Sequence, residues 1–183
     1  MCGIVGYVGV HDALPILIRG LKKLEYRGYD SAGVTFLEND QIRVIKKKGR
    51  IKVLDEALKE LGYNTSPEHA QEGKICLGMG HTRWATHGAP SDENAHPHLS
   101  DQRHVCVIHN GIIENHVELR RFLIERGAHF VSETDSEVVA HLIEYHYLTN
   151  CNADIFSAVQ AALLEIEGSY ALVVLCTEHP DLL

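Results

Sequence analysis

The order of the apolar segments constrains this chain more than any other feature. Residues 3–8, Gly-Ile-Val-Gly-Tyr-Val, read as a buried strand. A helix follows, with Ala13, Ile16, Leu17, Gly20, Leu21 and Leu24 on one face. The turn-rich stretch from Tyr26 to Gly33 ends it. Val34–Leu37 and Ile42–Lys47 predict a hairpin, turning near Glu38–Asp40. Val53, Leu54, Ala57, Leu58 and Leu61 mark a short amphipathic helix, and residues 62–74 are polar and irregular. Ile75–Gly80 and His104–His109 are further strands, joined by a long loop rich in His and Pro. Helices follow at about 113–126, burying Leu119, Phe122 and Leu123, and from the capping-box pattern Thr134-Asp135-Ser136-Glu137 through Leu148. A last helix carries Ile155, Val159, Ala162, Leu163 and Ile166, and Tyr170–Cys176 is a final strand. Strands dominate early and helices later, without βαβ alternation. That order predicts an α+β fold with helices packed on largely antiparallel sheet. A length of 183 residues suits one domain. The chain stops seven residues after the final strand, so the sheet is expected to be incomplete at its C-terminal end.

Charge and cysteine usage narrow the function classes. The formal net charge of −8 disfavours nucleic acid as a partner. The run Lys46-Lys47-Lys48 is read as a solvated strand end rather than a phosphate patch. Five cysteines, at positions 2, 76, 106, 151 and 176, form no CxxC pair, so neither a disulfide framework nor a thiolate zinc site is expected. Cys76, Cys106 and Cys176 lie in apolar runs and are expected in the core. A reducing, cytoplasmic setting fits this usage. No apolar run approaches the roughly 20 residues of a membrane span, and neither a secretory leader nor a myristoylation pattern is met.

Four local features carry chemistry. Met1-Cys2-Gly3 permits removal of the initiator Met, leaving Cys2 with a free α-amine. A thiol with an ordinary pKa near 8.5 and an amine of roughly 7.7–8.0 then share one residue. The amine can act as base for its own nucleophile, directly or through a water. His81-Thr82-Arg83-Trp84-Ala85-Thr86-His87-Gly88 follows a strand. Arg83 could clamp a carboxylate with its planar fork, Thr86 and His87 could add hydrogen bonds, and Trp84 could cover a pocket. A surface Arg and a packed Trp are the plainer alternative. His109-Asn110-Gly111 could supply two oxyanion donors, the Asn110 amide and the Gly111 N–H, or form a simple Asn-Gly turn. Asp135 could bind an ammonium group or merely face the helix dipole.

Together these motifs resemble a known family. Cys-Gly-Ile-Val-Gly at the start, Tyr26-Arg27-Gly28-Tyr29-Asp30-Ser31-Ala32-Gly33, Thr82–Gly88, Asn94-Ala95-His96-Pro97-His98, His109-Asn110-Gly111 and Glu133-Thr134-Asp135 occur in order over residues 2–181. They are similar to class II glutamine amidotransferases, which are N-terminal-nucleophile hydrolases. Within that family they look most like the glucosamine-6-phosphate synthase branch, and less like amidophosphoribosyltransferases, asparagine synthetases or glutamate synthases. The resemblance implies an αββα sandwich, with residues 1–183 forming a C-terminally incomplete glutaminase domain and two sugar-isomerase domains absent. It implies that Cys2 attacks the glutamine side-chain amide. Arg83, Thr86 and His87 would hold the α-carboxylate, Asp135 the α-ammonium, and Asn110 with Gly111 the oxyanion. Arg27 and Trp84 would support and close the site. No cofactor is implied. The ammonia would serve fructose 6-phosphate in the isomerase domains of a homodimeric parent enzyme.

Two other readings stand beside it. The 13 histidines, with His96 and His98 near His81, His87 and His109 in sequence, raise a metal site. There is no HExxH helix and no ligand spacing to support one, and these histidines are expected to hydrogen-bond loop backbone around the pocket instead. The other reading is a folded binding fragment without activity.

Overall fold

The computed structural model of the chain describes residues 2–66, 75–84, 88–150 and 152–183. The first sheet has four antiparallel strands in the order β1 (Gly3–Val8), β4 (Leu77–Arg83), β2 (Ser31–Glu38) and β3 (Gln41–Lys48). The second has three, also antiparallel, in the order β5 (His98–Leu99), β6 (Val105–Ile113) and β7 (Gly168–Cys176). Helices α1 (Ala13–Leu24) and α2 (Ile51–Glu60) cover the first sheet. Helices α3 (His116–Ile124), α4 (Ser136–Thr149) and α5 (Ile155–Glu165) cover the second.

Three apolar layers hold this arrangement together. Leu14, Leu17, Ile18 and Leu21 of α1 recur at helical spacing and pack with Leu54 and Leu58 of α2 onto Val34 and Phe36 of β2. Leu77, Met79, Cys106, Ile108 and Leu175 fill the space between the sheets. Val138, Val139, Leu142, Ile143 and Tyr147 of α4 pack against β6 and α5. α4 is buried on nearly every side, as a central helix that is apolar all round must be. The result is the αββα sandwich of the expected α+β class. Truncating one of these leucines to Ala would cost about 2–5 kcal/mol.

Several boundaries differ from the sequence reading, each for a local reason. The hairpin turns where expected, at Asn39 and Asp40, both at positive φ, a conformation these residues tolerate, but its strands are longer, Ser31–Glu38 and Gln41–Lys48. Ile16 and Leu24 are only half-buried, while Leu14 and Ile18 take their places on the core face of α1. Val53 and Leu61 are exposed, and Ile51 begins α2 instead. Cys106 and Cys176 are buried, but Cys76 is exposed. Period-two alternation turns it outward between buried Ile75 and Leu77. Cys151 and most of the irregular stretch 62–74 lie outside the described residues. The lysine run meets the loop at 92–93: Lys46 Nζ donates to the Glu93 carbonyl at 2.9 Å and Lys47 pairs with Asp92 at 3.1 Å. Lys46 is partly buried, and that burial pushes its pKa down.

The most consequential difference is in β6. The strand does not end at His109. It continues through Asn110 and Gly111 to Ile113, paired with β7 along its whole length. Sheet pairing therefore overrides the turn preference of the Asn-Gly dipeptide. Gly111 has φ +141°, and a Cβ there would overlap the Ser169 carbonyl oxygen, so the register requires glycine.

Candidate active site

Two rows of side chains set up the site. Along β4, Leu77, Met79, His81 and Arg83 share one face, and along β6, Cys106, Ile108 and Asn110 share the facing one. Both rows are apolar in the middle of the sandwich and polar at the same edge. The start of β1 reaches that edge too, since Gly3 pairs with Thr82. The Gly3 N–H donates to Thr82 Oγ1 at 3.0 Å. A Cβ on Gly3 would lie 2.7 Å from Leu24 Cβ, so glycine lets the chain bring Cys2 this close.

Cys2 is half-buried. Its sulfur accepts the Trp84 N–H at 3.2 Å, and the thiol can donate to the Trp84 carbonyl oxygen at 3.7 Å. Arg83, the last residue of β4, is 4% exposed, and its Nη2 donates to the Gly88 carbonyl at 3.3 Å. Burial pushes its pKa down, opposed by Cys2, Asp135 and Asp30. The Trp84 ring is half in solvent and stands edge-on to Tyr29, centroids 5.4 Å apart, at the mouth of the site. Asn110 Nδ2 donates to the Cys2 carbonyl oxygen at 3.3 Å, and its Oδ1 lies 2.8 Å from His81 Nε2. Asp135 is buried at the start of α4, where its Oδ2 accepts the Ile113 N–H at 2.8 Å. Ser136 Oγ lies between Asp135 Oδ1, at 3.4 Å, and His109 Nδ1, at 2.8 Å.

Two adjoining cavities share Cys2, Trp84, Asn110 and Gly111. One is an open cleft of about 650 Å³ that also touches Arg27 and Leu24. The other is a narrow pocket of about 40 Å³ that reaches Arg83, His109, Thr134 and Asp135. The structure thus brings together Cys2, Arg27, Arg83, Trp84, Asn110, Gly111 and Asp135. Thr86 and His87 lie outside the described residues.

Two sequence expectations need correction. No capping box forms at α4. Asp135 makes no side-chain cap, and Glu137 turns back to accept the Val131 and Ser132 N–H groups at 2.9 and 2.7 Å and the Ser132 hydroxyl at 2.7 Å. Burial works against its charge, yet His141 and these donors bring its pKa down to about 2. Three of the histidines bond side chains rather than loop backbone: His81 to Asn110, His98 to Thr134 Oγ1 at 3.1 Å, and His109 to Ser136. His96 has no hydrogen-bond partner at either ring nitrogen among the described residues and packs against the His81 and His98 rings, and His87 lies outside the described residues. His81, His96, His98 and His109 are all buried, and burial pushes each below the usual imidazole range, His81 to about 4. Among the described residues, no group of three or more His, Cys, Asp or Glu side chains could hold a metal ion. In the sequence His81 stands only as a possible metal ligand and Ser136 only as part of the capping-box pattern, with no role in the site for either. The signal that could have placed His81 is its spacing: two residues before Arg83 in a strand puts both on one face.

The match to known proteins is consistent with this geometry. A family model described as a glutamine amidotransferase domain matches residues 81–183, more than half of the chain. Two curated relatives are glutamine–fructose-6-phosphate aminotransferases (isomerizing). The one from Caldanaerobacter subterraneus is 56% identical over the whole chain, and the one from Clostridium tetani is 53% identical over 99% of it. The chain spans only 28% of the length of each. Among solved structures, the glutamine phosphoribosylpyrophosphate amidotransferase from B. subtilis shares the fold over 97% of this chain and 35% of its own, with a TM-score of 0.73 at 24% identity. An enzyme described as the allosteric regulatory enzyme of purine biosynthesis also gives 0.73, at 26% identity, over 97% of this chain and 36% of its own. On the family match, the chain belongs to the glutamine amidotransferase domain family.

Proposed function

We propose that the chain hydrolyses glutamine to glutamate and ammonia, with Cys2 as nucleophile once Met1 is removed. The observation that carries this reading is the convergence of a thiol, a buried guanidinium, a buried carboxylate and an aimed amide on one small pocket. Arg83 and Asp135 are the opposite charges that a free amino acid's α-carboxylate and α-ammonium call for. Trp84 and Arg27 close the outer side, with Thr86 and His87 as further carboxylate partners.

The chemistry follows from these positions. The Cys2 α-amine takes the thiol proton as sulfur attacks the amide carbon. The carbonyl oxygen becomes an oxyanion facing Asn110 Nδ2 and the Gly111 N–H. As it collapses, the C–N bond breaks and the leaving nitrogen takes the proton from the amine, so ammonia departs and a thioester remains. Water, deprotonated by the same amine, adds to the thioester carbon. Glutamate leaves and the thiol is restored. The names of the curated relatives support fructose 6-phosphate as the acceptor, and the motif resemblance extends the proposal: in a longer, homodimeric cytoplasmic protein, sugar-isomerase domains beyond this chain would use the ammonia to convert fructose 6-phosphate to glucosamine 6-phosphate.

The test is direct. Processed chain, verified by intact mass, is incubated with glutamine, and glutamate and ammonia are measured. A glutamine-analogue affinity label should add one adduct, on Cys2. A folded, processed chain that releases no glutamate and takes no label at Cys2 is a binding fragment, and the proposal fails.

A further inference from the structure

An asparagine can serve an oxyanion only if its amide is turned the right way. The two ends of the side chain are alike in shape and opposite in hydrogen bonding: Oδ1 only accepts and Nδ2 only donates. Around Asn110 both ends are fixed. Nδ2 faces the Cys2 carbonyl oxygen, itself an acceptor, at 3.3 Å, so the turned-over amide would set two acceptors against each other. Oδ1 lies 2.8 Å from Nε2 of His81, whose ring is fully buried in the facing row of β4. Because Oδ1 cannot donate, Nε2 must carry the ring proton.

We propose that His81 is a positioning residue for glutamine hydrolysis: its Nε2–H holds Asn110 Oδ1 so that Nδ2 stays turned toward Cys2. The proposal rests on the glutaminase reading above. His81 lines neither cavity, and its side chain's one hydrogen bond among the described residues is to Asn110; its ring also packs on His96, centroids 4.3 Å apart, which lines the narrow pocket. Burial keeps the ring neutral at physiological pH, so it has a single proton to place. Nδ1 of His81 has no hydrogen-bond partner among the described residues, so nothing there competes for that proton. The opposite tautomer would point a lone pair at Oδ1. The amide would then gain by turning over, and an acceptor would face the place where the oxyanion forms.

The test combines structure and kinetics on the 183-residue chain. Long-range ¹H–¹⁵N correlation spectra of histidine-labelled chain at neutral pH should show His81 protonated at Nε2. Protonation at Nδ1 overturns the proposal whether or not the chain is active. His81→Leu should lower kcat by about 10–100-fold, short of the loss of the donor itself, with glutamine KM changed by less than about twofold. His81→Gln, whose amide N–H stands near the Nε2 position, should recover most of the loss. In an Asn110→Ala background, His81→Leu should change kcat by no more than about twofold, because its target is gone. A full additional loss in that background would mean that His81 merely supports the fold. If the wild-type chain releases no glutamate, the glutaminase reading fails, and the tautomer alone decides whether His81 holds Asn110.

Discussion

The cleft beside Cys2 and the groove beside Cys176 each bring a thiol near a histidine, yet they are built in opposite ways. The groove, about 790 Å³, runs along the outer side of β7 and is walled by Phe156, Val159, Leu163, Leu172 and Leu182. Its Cys176 is 2% exposed, and burial pushes the thiol pKa up. The site around Cys2 offers less apolar wall and more held polar groups: Arg83, Asp135 and Asn110 are each fixed by a neighbouring element. Cavity size follows exposed apolar surface. Capacity for acyl chemistry follows where buried charges and donors converge, and only the Cys2 side has them.

Replacing each cysteine tests that contrast most severely. Cys2→Ala should abolish glutamine hydrolysis, a loss of about 10⁴-fold or more, since a missing nucleophile has no substitute. Cys176→Ala should leave kcat and KM within about twofold and only lower the melting temperature, as a small core truncation does. Comparable activity losses would erase the distinction between the clefts. Retention of Met1 belongs to the same test. It turns the Cys2 α-amine into an amide and should remove the general base, worth about 10²–10⁴-fold. Equal ammonia release from blocked and processed chains would exclude that amine as the base.

Asn110 gives the next largest effect. A donor aimed at the oxyanion acts in the transition state, so its removal should lower kcat by about 10²–10³-fold and leave glutamine binding nearly intact. Asn110→Asp should be at least as harmful as Asn110→Ala, because a carboxylate would face developing negative charge. Were Asn110 only a sheet residue, Asp would lose the bond to the Cys2 carbonyl and cost stability, but kcat would stay near normal. Kinetics and thermal melts on both variants separate the cases, and a well-folded Asp variant with near-normal kcat would refute the oxyanion role.

The two sides should also differ in how pH destabilises them. His81 has a folded pKa of about 4, below its unfolded value. A depressed pKa means the stability is present above about pH 6.5 and is lost as pH falls toward 4. For this fully buried ring the loss is about 3 kcal/mol, and His96 and His98 act in the same direction. On the groove side burial raises Cys176 above its ordinary value, and between the sheets it raises Cys106 to about 12, so both contributions are present below about pH 8.5 and are lost at alkaline pH. Melting temperature should therefore fall between pH 6.5 and 4, and His81→Gln should flatten that acid limb. A flat profile across this range would mean the histidines are not held neutral.

Why the sequence revealed some of this and not the rest is a matter of period and distance. Helices α1 and α4, the hairpin, and strands β1 and β7 were legible because apolar periodicity is local and strong in them. The site residues came from a resemblance among six ordered motifs, and the structure brings the described ones together. β5 was missed because two residues carry no period. The end of β6 was misjudged because Asn-Gly is a turn signal until β7, more than 50 residues later, pairs across it. The capping-box pattern predicts a cap for Glu137 because nothing in it shows that the chain at 131–132 folds back onto that carboxylate. His81 stayed obscure for the same reason: its partner lies on another sheet.

The smallest effect concerns charge recognition by Arg83. A guanidinium presents a flat fork that matches a carboxylate with two parallel N–H···O bonds, whereas an ammonium is a point charge. Arg83→Lys keeps the charge and loses the fork, along with the Nη2 bond to the Gly88 carbonyl. A hydrogen bond to a charged group contributes about 1.5–3 kcal/mol, so glutamine KM should rise roughly 10–100-fold. The α-carboxylate is remote from the reacting amide and changes little between ground and transition state. The contact is therefore uniform binding, and kcat should stay within about threefold. This is the reverse of the pattern expected for Asn110, and the pair of variants separates binding from chemistry within one pocket. A melt guards against the lost Gly88 contact loosening the β4 end. An Arg83→Lys chain that folds normally and keeps its KM would remove Arg83 from the glutamine site and leave it as a buried brace for the strand end.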